Sequence, residues 1–472
     1  MTVGRSGGRA VGSVCRTAGS ALFAAALLTA RPSDRLTAQE TSLTIYSDGR
    51  VLVRRTLPVA VPRGTSTIAV DLGVREVDPG SVVVLDEGVQ LAGLHYTSAT
   101  GQEGSLRRAV GGMVMFRSEF GNGVRYSRGT LLSVDPVAVQ VDSGVMYALP
   151  GVPVFPPAMV QLQPRVDLSL ESPRALNSLH LLYQSAGLSW GASYAVLLPR
   201  GGSGQARMTG TAAIVNGAGL AMSGVELQLI AGDIRRAESP GSDVRGVMRL
   251  NAVVVTAMGG ADEEAVGGSH VYTLPGRHDL VPGETRTIAL FPAATAAVAP
   301  ELVLPQGGYG IVQAWPEPLR DQHPVISYRV RRPVQPANGF GALPLPSGIV
   351  RVYEPDSAGR LQLVGEVPIA HTPAGRDLQL TTGTSFDVTA TRSQTAYERR
   401  GDRDVSSGYR VVLNNAGSQA VTVSVRDVCP GRCEIESSTV RGENVTASMV
   451  SFPVPVPPGG TTTLDYRLRA RW

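Results

Sequence analysis

The sequence predicts an all-β protein: tandem β-sandwich, immunoglobulin-like domains with a small β-barrel or hairpin module near the N-terminus. Three observations carry this. Gly (55) and Pro (33) make up nearly a fifth of the 472 residues, against roughly 12 % in average usage, so tight turns punctuate the chain. Short runs alternate apolar and polar side chains, the period of a strand with one buried face. Beyond the first 38 residues no stretch shows the apolar spacing of an amphipathic helix, and no heptad or fixed-length repeat stands out.

Residues 1–38 read as a secretory signal. Arg5, Arg9 and Arg16 form a positive n-region, and Ala18 to Ala30 is an apolar run too short to span a bilayer. Ala30 and Ala38 offer cleavage points, the second leaving a chain that starts near Gln39. Cys15 precedes the apolar run, which argues against lipidation. The segment holds five Arg and one Asp, so the whole-chain net charge of +4 leaves about zero for the exported part. The basicity belongs to the signal, which argues against nucleic-acid binding. The sequence contains no lysine, which excludes Schiff-base chemistry and a phosphate-loop lysine.

Residues 39–98 are expected to form an N-terminal β unit. Ser42 to Val61 places a DG turn at Asp48 and Gly49 between two alternating runs, a hairpin signal. Residues 99–165 hold very short strands with Gly turns, VGGMVMFRSEF among them, and suit the small barrel or hairpin module. Longer alternating runs from Val166 predict a sandwich over 166–310, interrupted at about 236–269 by a mobile insertion rich in Gly, Ala, Asp and Glu. A C-terminal sandwich is expected over 311–472. The strands are too short and Pro-rich for an outer-membrane barrel, and no transmembrane segment is expected in the exported chain.

YQSAGLSWGASY (Tyr183 to Tyr194), TAAIVNGAG and GVELQLIAGDIR, followed by LPSGIVRVYEPD, GEVPIAHTPAGRDLQL and VPVPPGGTTTLDYRLRARW, resemble the bacterial DUF 4139 domain family over about residues 168–472. These are exported proteins of unknown function related to mucoidy-inhibitor proteins. The resemblance implies tandem sandwich-like domains and an envelope location. It brings no catalytic residues, and the coiled coil of the mucoidy-inhibitor relatives is missing here.

Several constellations invite chemical readings. Gly187 to Gly191 is a literal G-x-S-x-G around Ser189, but the following ASYAVLLP reads as a strand where a nucleophile elbow needs a helix. A hairpin connection with Trp190 and Tyr194 packed inward is expected instead. The six histidines (His95, His180, His270, His278, His323 and His371) form no metal-binding pair of known spacing; only His270 and His278 lie close, across an LPG turn. Asp402 to Gly408 lacks the Gly and Glu of a calcium loop and reads as a charged turn. Asn444-Val445-Thr446 reads as a surface strand end. Cys429 and Cys433 (CPGRC) read as a structural disulfide at a hairpin tip, since redox dithiols sit as C-x-x-C at a helix start.

No catalytic residue, metal or cofactor is therefore assigned. The expected function is a non-enzymatic scaffold or binding module, periplasmic or at the cell surface, with an envelope protein or glycan as partner. An exported hydrolase acting on an ester or glycan is the alternative.

Overall fold

The computed structural model describes residues 40–472 apart from 75, 122, 163, 220, 233–251, 255–261, 267, 307–309 and 336–339. The expected signal lies outside the described residues, as does most of the expected insertion. Two strands within that insertion are described: Ala252–Val254 pairs with Thr285–Leu304, and Asp262–Val266 with Ser269–Thr273. No helix among the described residues is long and apolar enough to cross a membrane.

The described residues are almost all β, in several sheets packed as sandwiches, with no barrel among them. Period-two alternation at its start has its expected effect. Leu43, Ile45, Val51 and Val53 are buried, and Leu43 lies opposite Val53 and Ile45 opposite Val51 in the hairpin of Thr41–Tyr46 and Arg50–Leu57. Directly opposed residues share a face, so all four enter one core. Thr41–Tyr46 then runs parallel to Met222–Ala231, while Arg50–Leu57 pairs with Leu179–Ala186. Gly64–Val70 and Gln90–Thr97 flank Arg165–Ser172 in a three-stranded sheet. A first core thus draws residues from 43 to 380, enclosed by an eight-stranded sheet, the three-stranded sheet and part of an eleven-stranded sheet. The spacing of turns along the chain does not coincide with the grouping of strands in space.

A second core lies between the rest of the eleven-stranded sheet and a five-stranded sheet ordered Leu319–Gln322, Val388–Gly401, Asp404–Asn415, Gly460–Arg471, Arg432–Ser438. Val411, Leu413, Leu464 and Leu468 of one meet Val423, Val425, Phe452 and Val454 of the other. The 20-residue strand Thr285–Leu304 belongs to both cores. It pairs with Gly204–Asn216 where Ile288 and Val298 enter the first core, and with Val421–Val428 where Leu304 enters the second.

The third core is small. Val152–Val154, Met113–Phe120, Gly123–Val134, Val137–Val141 and Gly144–Met146, in that spatial order, form an open antiparallel sheet. The hairpin form of the predicted module is what occurs; the barrel is not, because the first and last strands remain edges. Beneath it lies an α-helix, Gly101–Arg108, that the sequence did not announce. Its composition, GQEGSLRR, is too polar to show an apolar stripe. It is held by an Arg107 to Glu103 pair at 2.8 Å, by Arg108 donating to the carbonyls of Ala99 and Met159, and by Leu106 packed with Val114, Phe116, Leu131 and Val139.

Candidate interaction surface

Met113-Val114-Met115-Phe116 is apolar at four successive positions. In a strand such a run divides between two faces. Val114 and Phe116 enter the third core, whereas Met113 is 69 % and Met115 38 % exposed. Register extends the outer face across the sheet: Met115 lies opposite Arg128 and Val154, Arg117 opposite Tyr126 and Val152, Met113 opposite Thr130, and Glu119 opposite Val124. The outer face is thus an apolar field with Arg117 and Arg128 set into it. Phe120, where the hairpin turns, is 74 % exposed. More than half of the large apolar side chains left exposed in the described chain fall between residues 110 and 162. Contiguous exposed apolar fields of this kind mark interaction sites. Its mixture of Met, Tyr, Phe and Arg is that of interface centres.

The charges on this outer face are weakly paired. Arg117 approaches Glu119 only at 4.0 Å, and the guanidinium group of Arg128 has no ion-pair or hydrogen-bond partner among the described residues. The outer face of the C-terminal five-stranded sheet is the opposite case. There Arg400 and Arg467 bridge Glu398 and Glu436, Arg469 pairs with Asp404, and Arg471 with Glu434. Hydrogen bonds from Arg469 hold the Asp404 carboxyl below the usual carboxylate range, and those from Arg400 do the same for Glu398. That face neutralises itself.

The chemical candidates from the sequence remain apart from one another. Gly187 sits not in a hairpin, as expected, but at a corner: Leu179–Ala186 belongs to the eight-stranded sheet and Leu188–Leu197 to the eleven-stranded one. Its φ is +93°, and a Cβ there would come within 2.8 Å of Ala218 Cα, so glycine is required. Ser189 lies within the following strand, opposite Val215, with no helix after it. Trp190 and Tyr194 pack into the first core as expected. His270 Nδ1 lies 2.6 Å from Glu263 Oε1, while His278 is buried on His278–Leu280 with both ring nitrogens sealed from solvent and unpartnered. No group of three metal-ligating side chains occurs among the described residues. Asp402 lies in the turn between Val388–Gly401 and Asp404–Asn415, and Asn444 on the exposed edge strand Glu443–Thr446.

One serine–histidine contact escaped the sequence reading. The Ser347 backbone N–H donates to His371 Nδ1 at 3.1 Å, which leaves the ring proton on Nε2, 3.5 Å from Ser347 Oγ. Nε2 in that tautomer has no lone pair with which to take the serine proton.

No family model matches the chain, and no curated protein matches it. Function must therefore be argued from the site alone.

Two buried polar centres were also illegible in sequence. Arg332, fully buried, donates to the carbonyls of Pro373, Arg376 and Leu343 and stacks 5.1 Å from the Phe340 ring centroid. With the Tyr194 hydroxyl donating to Pro346 O at 2.8 Å and Tyr272 to Pro344 O at 3.2 Å, it pins the segment from Phe340 to Pro346. In the second core the Asp427 carboxylate accepts from Arg392 Nη1 at 2.6 Å and from the Tyr466 hydroxyl. Burial first, then the Asp427 charge, raises the Tyr466 phenol well above its ordinary range, keeping it a donor. Both centres are closed to solvent and act on the fold.

Cys429 and Cys433 come to disulfide distance, Cα to Cα 5.4 Å, as the sequence predicts. The expected hairpin is corrected. Val421–Val428 lies in the eleven-stranded sheet and Arg432–Ser438 in the five-stranded one, so the pair spans a crossover between sheets.

Proposed function

We propose that this is an exported, non-enzymatic envelope protein of the scaffold or binding class, whose contact surface is the outer face of the sheet from Met113 to Val154. The observation that carries this reading is the exposed apolar field with Arg117 and Arg128 set into it, against a C-terminal five-stranded sheet whose outer arginines are paired with acids. Export is supported by the signal-like residues 1–38 and by a cysteine pair suited to an oxidising compartment. Kinship with the DUF 4139 family belongs to the same proposal and rests on the motifs between residues 168 and 472. The hydrolase alternative gains no comparable support from Ser189 or from the Ser347–His371 contact.

A photo-crosslinking residue at position 126, with a control at the equally exposed position 361 on a different sheet, tests the reading in intact envelopes. Adducts, whether to protein or lipid, are expected at 126 and not at 361. No adduct at 126, or equal adducts at both, overturns it.

A further inference from the structure

We propose that the occupant of this face is an anionic lipid surface. The inference rests on the binding-surface reading above and narrows it. A second copy of the chain is disfavoured, because an isologous dimer would bring like guanidinium groups together on an interface with one acid, Glu119. The chain's own segments outside the description are no better suited. Residues 1–39 carry five Arg and one Asp, and residues 233–251 carry Arg235, Arg236, Arg245 and Arg249 against Asp233, Glu238 and Asp243. They share the sign of the face, so its complement is an anion from outside the chain.

The form of the apolar groups selects lipid over an acidic protein. Phe120 stands at the hairpin turn with three-quarters of its surface free, and Met113, Tyr126 and Val152 rise from a sheet face whose hollow beside Arg117 and Val152 stays open to solvent. A protein partner must supply a matching cavity for each such side chain, whereas acyl chains close around any shape. Aromatic rings favour the headgroup boundary. Arginines on the same surface lay their stems along apolar neighbours and present guanidinium groups to phosphate, which they bind bidentately. Cross-strand placement of Arg128 beside Met115, and of Arg117 beside Tyr126 and Val152, supplies that arrangement.

The experiment is flotation of the purified full chain with vesicles of phosphatidylethanolamine containing one-third phosphatidylglycerol, against phosphatidylcholine vesicles, at low and high salt. Binding to the anionic vesicles is expected to exceed that to neutral ones by about tenfold and to weaken with salt. The pair Arg117→Glu with Arg128→Glu should abolish it, and Met113→Ser with Tyr126→Ser should reduce it several-fold, both with unchanged circular dichroism because all four side chains lie on the outer face, outside the third core. Equal flotation of wild type and either double variant overturns the proposal. So does absence of flotation: if position 126 then crosslinks to a protein, the lipid proposal falls and the binding surface stands. If it crosslinks to nothing, both fall.

Discussion

Asp427 is 1 % exposed, and the two groups that satisfy it, Arg392 and Tyr466, are as deeply set. Arg392 Nε and Nη2 have no hydrogen-bond partner, so the carboxylate is the guanidinium's one strong compensation. Removing one member of such a pair strands the other charge, at a cost of about 3–5 kcal/mol, whereas replacing both with apolar side chains of similar volume is often neutral. Asp427→Asn should therefore lower stability in urea unfolding far more than the double change Arg392→Met with Asp427→Leu. His278 gives a pH signature. Burial, and then the Arg286 charge, lowers its affinity for protons. The unfolded chain binds a proton near pH 6.5 that the folded chain resists, so stability is full above about 6.5 and is lost as pH falls from there toward the lowered folded value. The urea midpoint of the wild type should drop between about pH 7.5 and 5.5, and His278→Leu should flatten that drop.

At the scale of elements, the crossover from Val421–Val428 to Arg432–Ser438 carries the cysteine pair. Gly431 turns it with φ +73°, and a Cβ there would lie 2.3 Å from Arg471 O. Backbone bonds from Cys429 N to Ser448 O and from Cys433 N to Ala447 O, each 2.8 Å, hold the crossover independently of sulfur. A disulfide over so short a loop contributes on the order of 2 kcal/mol. The variant with Cys429→Ser and Cys433→Ser should thus fold with a lowered unfolding midpoint. The exported wild type should show no free thiol when labelled in denaturant without reductant; free thiols there would contradict the bond. The sequence led to a hairpin because strand-like runs flank CPGRC on both sides. Two strands adjacent in sequence can equally well close opposite walls of a sandwich, and the spacing of their side chains is identical in both cases. The same ambiguity turned the expected hairpin at Gly187 into a corner. In the small module the legible clue was the unbroken run from Met113 to Phe116. A run of that kind fits a strand buried on both sides, and only the structure shows that one side has no cover.

Across the whole molecule, strand content, turn positions and the inward packing of Trp190 and Tyr194 followed from alternation, because alternation is a local consequence of burying one face. Partnership did not follow. Thr41–Tyr46 lies beside Met222–Ala231, some 180 residues later, and nothing in either segment names the other. The buried centres at Arg332 and Asp427 stayed hidden for the same reason, since each takes its partners from distant segments. Thr285–Leu304 shows what this interdependence means for change in the sequence. A strand shared by two cores obeys two sets of neighbours at once. Losing or gaining one residue near its middle would turn every later side chain to the opposite face. The error would turn Ala296 and Val298 out of the first core as well as Leu302 and Leu304 out of the second. The length of this segment is therefore fixed more strictly than its composition, and families of such chains should vary it by substitution and leave insertions to the turns.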